Sequence, residues 1–164
     1  VPLVIILLLL LIVHGGSAPR ATLATSGNMT ITMNDDVLTT GMSIGLDRAG
    51  LPVQVTNVQV HSKAGDHLDL AGTIPTAIGS QAVLITMAPQ IDTSGHLDFK
   101  ITAINLNGGD ASLWGLSEQV LEMALNSQFS DLGSGSIIKG LNYQLVDVHT
   151  NDGALVVTTR LSQS

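Results

Sequence analysis

Apolar positions along this chain recur with two periods. At 100° per residue Val37, Leu38, Gly41, Met42, Ile44 and Gly45 share one face, with Thr39, Thr40 and Ser43 opposite, which predicts a helix. Thr32-x-x-Asp35 resembles a capping box and puts the helix start at Thr32. Two glycines within that face cost roughly 1 kcal/mol each against Ala. Either another backbone or a ligand chain approaches closely there, or the helix is short and ends near Gly45. The period then drops to two. Val53 and Val55, then Val58 and Val60, alternate with polar residues but slip by one at Asn57, the mark of a bulge. Leu68 and Leu70, then Val83, Ile85 and Met87, then Leu97, Phe99, Ile101 and Ala103 continue the alternation, with Pro89 expected to end the second of these runs. Gly65-Asp66 and Ser94-Gly95 supply turns, so the pattern is that of an antiparallel meander.

A second helix is expected within residues 113–132. Leu113, Leu116, Val120, Leu121, Met123, Ala124, Leu125 and Phe129 cover well over half of its circumference, leaving Glu118, Glu122 and Asn126 as one polar stripe. A helix resting on a flat sheet needs an apolar arc of only about 100°. The expectation is therefore a sheet that curves around this helix, leaving it wet along a single line. A hairpin closes the chain. Leu141, Tyr143 and Leu145 shift register to Val146 and Val148, Asn151-Asp152-Gly153 turns, and Leu155, Val157 and Leu161 run back. The fold class read from this pattern is α+β: a curved antiparallel sheet of about six strands wrapped around a long apolar helix, with a shorter N-terminal helix.

Residues 1–13 form an unbroken apolar run, and no charge precedes Arg20. Thirteen helical residues span about 20 Å, short of the roughly 30 Å hydrocarbon core of a bilayer. The run matches the apolar part of a secretory signal, and Gly16 and Ala18 have the small-residue spacing of a cleavage site. A run prolonged upstream is instead an uncleaved anchor. Both readings put the rest of the chain outside the cytoplasm. The organisation expected is a signal peptide or membrane anchor over 1–18, a linker over 19–30 and one domain over 31–164. Asn28-Met29-Thr30 matches a glycosylation sequon and reads as a chance tripeptide.

Composition narrows the partners. The net charge is -7, and the six basic residues form no stripe that would displace counterions from a duplex. Four aromatic residues (Phe99, Trp114, Phe129 and Tyr143) are too few for a single-strand stacking groove, so nucleic acid is excluded. Without cysteine there is no disulfide framework, thiolate catalysis or cysteine-ligated zinc. His61 and His67 with Asp66 or Asp69 are the best metal candidates, and solvated histidines are the preferred reading, so no metal is assigned. No His-Glu-x-x-His or Gly-x-Ser-x-Gly motif occurs, and Gly133-Ser134-Gly135-Ser136 follows a helix rather than a strand and reads as a linker. Glu118 and Glu122, the two glutamates of the chain, read as solvated rather than as an acid–base pair. No enzyme activity and no cofactor is expected.

The succession of a capped helix, four meandering strands, a long apolar helix and a closing hairpin resembles bacterial members of the tubular lipid-binding superfamily, to which bactericidal permeability-increasing protein belongs. The features that carry the likeness are Thr32-Met33-Asn34-Asp35-Asp36-Val37-Leu38, Leu68-Asp69-Leu70-Ala71-Gly72, Ala88-Pro89-Gln90-Ile91 before Ser94-Gly95-His96-Leu97, the approach to the helix from Gly109 to Leu125, and Leu145-Val146-Asp147-Val148 with Leu155-Val156-Val157. The proline usual before the second helix is replaced by Leu113-Trp114-Gly115-Leu116. The likeness is to two small envelope groups, a phospholipid-binding periplasmic family and a membrane-anchored firmicute family. It implies an acyl-chain slot between helix and sheet. The expected function is then non-catalytic, extracytoplasmic binding of lipid acyl chains in a bacterial envelope. Val37, Gly41, Met42, Gly45, Met87, Val120, Met123 and Ala124 are the candidate lining residues. Flexible methionines suit acyl chains of varied shape. The alternative is a structural or interaction module with a closed core, whose strand edges recruit an envelope protein partner.

Overall fold

Each alternating run becomes a strand, but the strands divide into two sheets. The computed structural model describes residues 27–107, 116–129, 135–138 and 141–163. In chain order the elements are β1 (Gly27–Asn34), α1 (Asp35–Arg48), β2 (Thr56–Lys63), β3 (His67–Thr76), β4 (Gly79–Ile91), β5 (Leu97–Leu106), α2 (Glu118–Asn126), β6 (Gly135–Ile138), β7 (Leu141–Asn151) and β8 (Ala154–Gln163). One four-stranded sheet is the meander β2-β3-β4-β5, and the other has the order β1-β8-β7-β6. All pairings are antiparallel.

The inward side chains of the meander include Leu68, Leu70 and Ile74 of β3, Val83, Ile85 and Met87 of β4, and Phe99 and Ile101 of β5. They merge with Met33, Leu145, Leu155 and Val157 of the second sheet, and with residues of both helices, into one core. Such mutual burial is the dominant favourable term in the fold. The two expected register slips are present: Asn57 has φ 52 where β2 shifts against β3 between Thr56 and Gln59. β7 shifts against β8 between Leu145 and Asp147.

Several expectations are corrected. Among the described residues there are eight strands in two sheets rather than about six in one, and no single sheet there wraps around a helix. The helix lengths are also reversed, since α1 has 14 residues and α2 has 9. Helix α2 starts at Glu118, capped by the Ser117 hydroxyl, and Ser127 at its C-cap bonds back to the Ala124 carbonyl. The expected helical residues 113–115 and 130–132 lie outside the described residues. Thr32 is not a helix cap. It lies in β1, and the Asn34 side chain caps α1 by accepting from the Val37 N–H at 3.0 Å. Strand pairing begins at Gly27, so β1 occupies residues 27–30 of the expected linker. Gly135 and Ser136 belong to β6 rather than to a linker.

Pro89 does not end its strand, and the hydrogen bonding shows why. Phe99, its partner in β5, directs both its N–H and its C=O away from β4, to Asn126. Pro89 and Phe99 are therefore a non-hydrogen-bonded pair, and the proline nitrogen faces the side where β3 has already ended.

Polar contacts among the described residues join the two sheets at the tip of the β7–β8 hairpin. The tip of the β7–β8 hairpin docks on the edge of β2, where Gly153 N–H donates to the Ser62 carbonyl at 3.0 Å and Gly153 O accepts from Asp35 N–H at 3.3 Å. Asp152 accepts from Ala64 N–H, and Asp66 accepts from Thr150 N–H. No helix among the described residues is long and apolar enough to cross a membrane, and residues 1–13 lie outside them.

Candidate functional site

The meander sheet leaves two strand edges, on β2 and β5, and a helix lies along each. On β2, Ser62 N–H donates to Asp35 Oδ1 at 2.9 Å and Val60 N–H donates to Thr39 Oγ1 at 2.9 Å. On β5, Ile101 N–H donates to Glu122 Oε1 at 2.9 Å and Phe99 N–H donates to Asn126 Oδ1 at 2.7 Å. The same geometry serves twice. Side chains four apart on a helix rise about 6 Å, and edge N–H groups two apart on a strand are separated by about 6.6 Å. An i,i+4 polar pair thus substitutes for a neighbouring strand. Asn126 also donates to Phe99 O at 3.2 Å and to Asp98 Oδ1 at 2.6 Å. The stripe expected to be wet is consequently split. Glu118 is exposed, whereas Glu122 and Asn126 are half-buried against β5.

With their polar residues turned to the sheet edges, the two helices meet along an apolar seam. An added Cβ at Gly45 would lie 2.4 Å from the Ala124 carbonyl oxygen, and one at Gly41 would lie 2.7 Å from Phe129 Cζ. The glycines therefore admit another backbone and a ring, and α1 continues past Gly45 to Arg48. Phe129 in turn packs edge-on against Phe99, with ring centroids 5.0 Å apart.

Seven of the eight candidate residues lie on these helices: Val37, Gly41, Met42 and Gly45 on α1, and Val120, Met123 and Ala124 on α2. Met42 and Ala124 are buried, Val37, Gly41 and Val120 are half-buried, and Met123 is 62% exposed. Met87, the eighth, sits on the inner face of β4, fully buried. Phe129 and Phe99, which occupy the ground under the seam, were not among the candidates. Their signal in the sequence is that they are the only two phenylalanines in an otherwise aliphatic chain.

No family model matches the chain, and no curated protein matches it either. Among solved structures, it is similar to one described as the crystal structure of lipopolysaccharide binding protein. The TM-score is 0.39 and the identity 13%, covering 86% of this chain and 51% of that one. This chain thus spans about half the length of that protein.

Among the described residues the histidines and carboxylates are dispersed over separate strands, turns and helices. Asp69 is engaged by the Lys63 ammonium and accepts from the Thr86 hydroxyl at 2.9 Å. The hydrogen bond from Lys63 holds the Asp69 carboxyl below its ordinary value, against the opposing effect of burial, and Thr86 assists. His61 faces Asp35 at 3.8 Å, and His67 lies over the Gly65 carbonyl. Asp92 gathers the His96 and Ser94 N–H groups in the β4–β5 turn, which lowers its pKa. Among the described residues no three His, Asp or Glu side chains come together in a way that would hold a metal ion.

Proposed function

We propose that this chain binds phospholipid-type acyl chains outside the cytoplasm, in a bacterial envelope, without catalysing a reaction. The observation that supports this most is the α1–α2 seam, where Gly41, Gly45 and Ala124, three of the eight candidate residues, lie at the contact between the helices. Each helix is tied to the sheet by polar side chains on its other flank, while contact across the seam runs through Gly41, Gly45, Ala124 and Phe129. The strand-edge hydrogen bonds thus lie on the flanks of the helices, and the seam itself is held by apolar contact. Beneath it lies a largely aliphatic core that includes the buried methionines Met33, Met42 and Met87. Methionine repacks readily around chains of different shape. The test is extraction of the purified chain followed by lipid mass spectrometry, with uptake of a fluorescent phospholipid by the delipidated protein. Co-purified phospholipid and saturable uptake are expected. Repeated absence of both overturns the reading.

One observation favours a second reading, an interaction module with a closed core. In the second sheet β1 is an outer strand, with β8 on its inner side, and its sequence Gly27–Asn34 contains no charge and no proline. Such an edge lacks the usual deterrents to pairing with another strand. Crosslinking in cells that recovers lipid but no protein would count against this reading.

A further inference from the structure

The β3–β4 hairpin carries a fully exposed apolar side chain at its tip, Ile78. Strand pairing runs to Thr76 and Gly79, so the loop consists of Ala77 and Ile78 alone. Tight hairpin loops favour Gly, Asn, Asp or Ser, and an exposed β-branched residue at the tip is a poor choice for turn chemistry and for solvation alike. Ile78 is nevertheless 100% exposed, the extreme value in the described chain among large apolar residues. The backbone does not demand it. Gly79 supplies the positive φ at 140°, and neither Ala77 nor Ile78 has a positive φ. The Thr76 hydroxyl closes the turn by donating to Gly79 O at 3.0 Å. The turn is thus satisfied by its neighbours and leaves the fully exposed isoleucine without a part in the fold, which points to a role outside it.

Charge sharpens the point. In a chain of net charge -7 there is no charged residue between Asp69 and Asp92, a stretch that holds nearly all of β3 and β4. We propose that this hairpin tip inserts into the surface of a zwitterionic phospholipid bilayer. A stable protein interface needs roughly 800 Å² from each partner, far more than a two-residue tip presents, whereas a bilayer accepts a narrow apolar wedge. Insertion to about 5–10 Å, the depth reached by interfacial segments, takes in Ala77, Ile78 and Pro75. Leu84, itself 37% exposed, lies roughly 17 Å up the strand from Gly79 and stays outside. The negative net charge makes a zwitterionic surface a better match than an anionic one. The inference rests on the lipid reading only in taking a bilayer as the surface.

The absence of cysteine allows a site-specific test on the full chain. An environment-sensitive fluorophore is placed at Ile78→Cys, or at Ser94→Cys in the β4–β5 turn at the far end of β4, and the protein is mixed with phosphatidylcholine vesicles carrying quencher-labelled lipid. Position 78 should be quenched several-fold more than position 94, and the difference should shrink when anionic lipid is added. With the label moved to Ala77→Cys, the further change Ile78→Asp should weaken tip contact about tenfold or more. Equal quenching at 78 and 94 overturns the proposal. So does shielding of position 78 that vanishes when each vesicle carries a single chain, since a second copy is then what covers the tip. Uptake of a monomeric short-chain phospholipid by Ile78→Asp should match that of the parent chain. If the parent takes up none, the acyl-binding reading fails while the quenching result still decides the tip.

Discussion

Replacing Gly45 by alanine tests whether the seam between α1 and α2 is a true backbone contact. In an exposed helix the change would stabilise by about 1 kcal/mol. Here the new Cβ would sit 2.4 Å from the Ala124 carbonyl oxygen, and Gly45 is buried. Ordinary contact begins near 3.4 Å, so the two helix backbones must part by about 1 Å, and each is hydrogen-bonded to a different edge of the same sheet. Overpacking typically costs 1–3 kcal/mol, and a clash between two tethered backbones belongs in the upper part of that range. The net expectation is a loss of about 1–2 kcal/mol. Gly41→Ala supplies the contrast. Its Cβ would meet the Phe129 ring at 2.7 Å, and a ring edge gives way by tilting. That cost largely cancels the gain in helix propensity, leaving a change within about 1 kcal/mol. Urea denaturation followed by circular dichroism measures both at unchanged slope. A Gly45→Ala protein more stable than the parent, or a Gly41→Ala protein damaged more than Gly45→Ala, would refute the packing argument.

Three further outcomes are expected. Asn126→Ala strips hydrogen bonds from both backbone groups of Phe99 and should cost about 2–3 kcal/mol, with amide exchange of Phe99 rising along with that of Ile101. Ser62→Ala should stabilise by about 1 kcal/mol, because Ser62 Oγ is buried with no hydrogen-bond partner, and the thermal midpoint reads it. Asp69 has its pKa lowered from 3.8 when folded, chiefly by the hydrogen bond from Lys63. Its contribution is therefore fully present above that ordinary value and is lost as pH falls through the folded one. Asp69→Asn should flatten the acid limb of the stability–pH curve below about pH 4 and leave its alkaline side unchanged, as measured by denaturation at stepped pH.

Strand alternation was the most readable part of the sequence, since a period of two places Leu68, Leu70, Val83, Ile85, Met87, Phe99 and Ile101 inward wherever the sheets lie. The bulge at Asn57 and the slip at Val146 were readable for the same reason, because a register change moves every later side chain to the other face. Division into two sheets was not readable, as it depends on which strands pair. β1 carries a clean alternation of Met29, Ile31 and Met33 with Asn28, Thr30 and Thr32, but the same letters also spell a cap-like Thr-x-x-Asp. The actual cap, Asn34, differs only in which oxygen reaches an N–H three residues on. At the seam, Gly41 and Gly45 were compatible with either a close approach or a helix ending near Gly45, and the structure shows the approach of Phe129 and the Ala124 carbonyl in a helix that runs on to Arg48.

The stripe Glu118, Glu122 and Asn126 shows why sequence alone places a helix face only up to its partner. A carboxylate or amide is satisfied equally by water and by the N–H groups of a strand edge, so the sequence pattern is the same for both. Once Glu122 and Asn126 are spent on β5, and Asp35 and Thr39 on β2, the orientation of each helix about its axis is fixed. The remaining faces are then determined. Leu38, Met42, Leu121 and Leu125 turn to the core, and Gly41, Gly45 and Ala124 turn to the opposite helix. The apolar seam is thus a consequence of how the sheet edges are covered. A chain that covered those edges with strands would have no reason to bring two helices together there, and no glycine contact through which they meet.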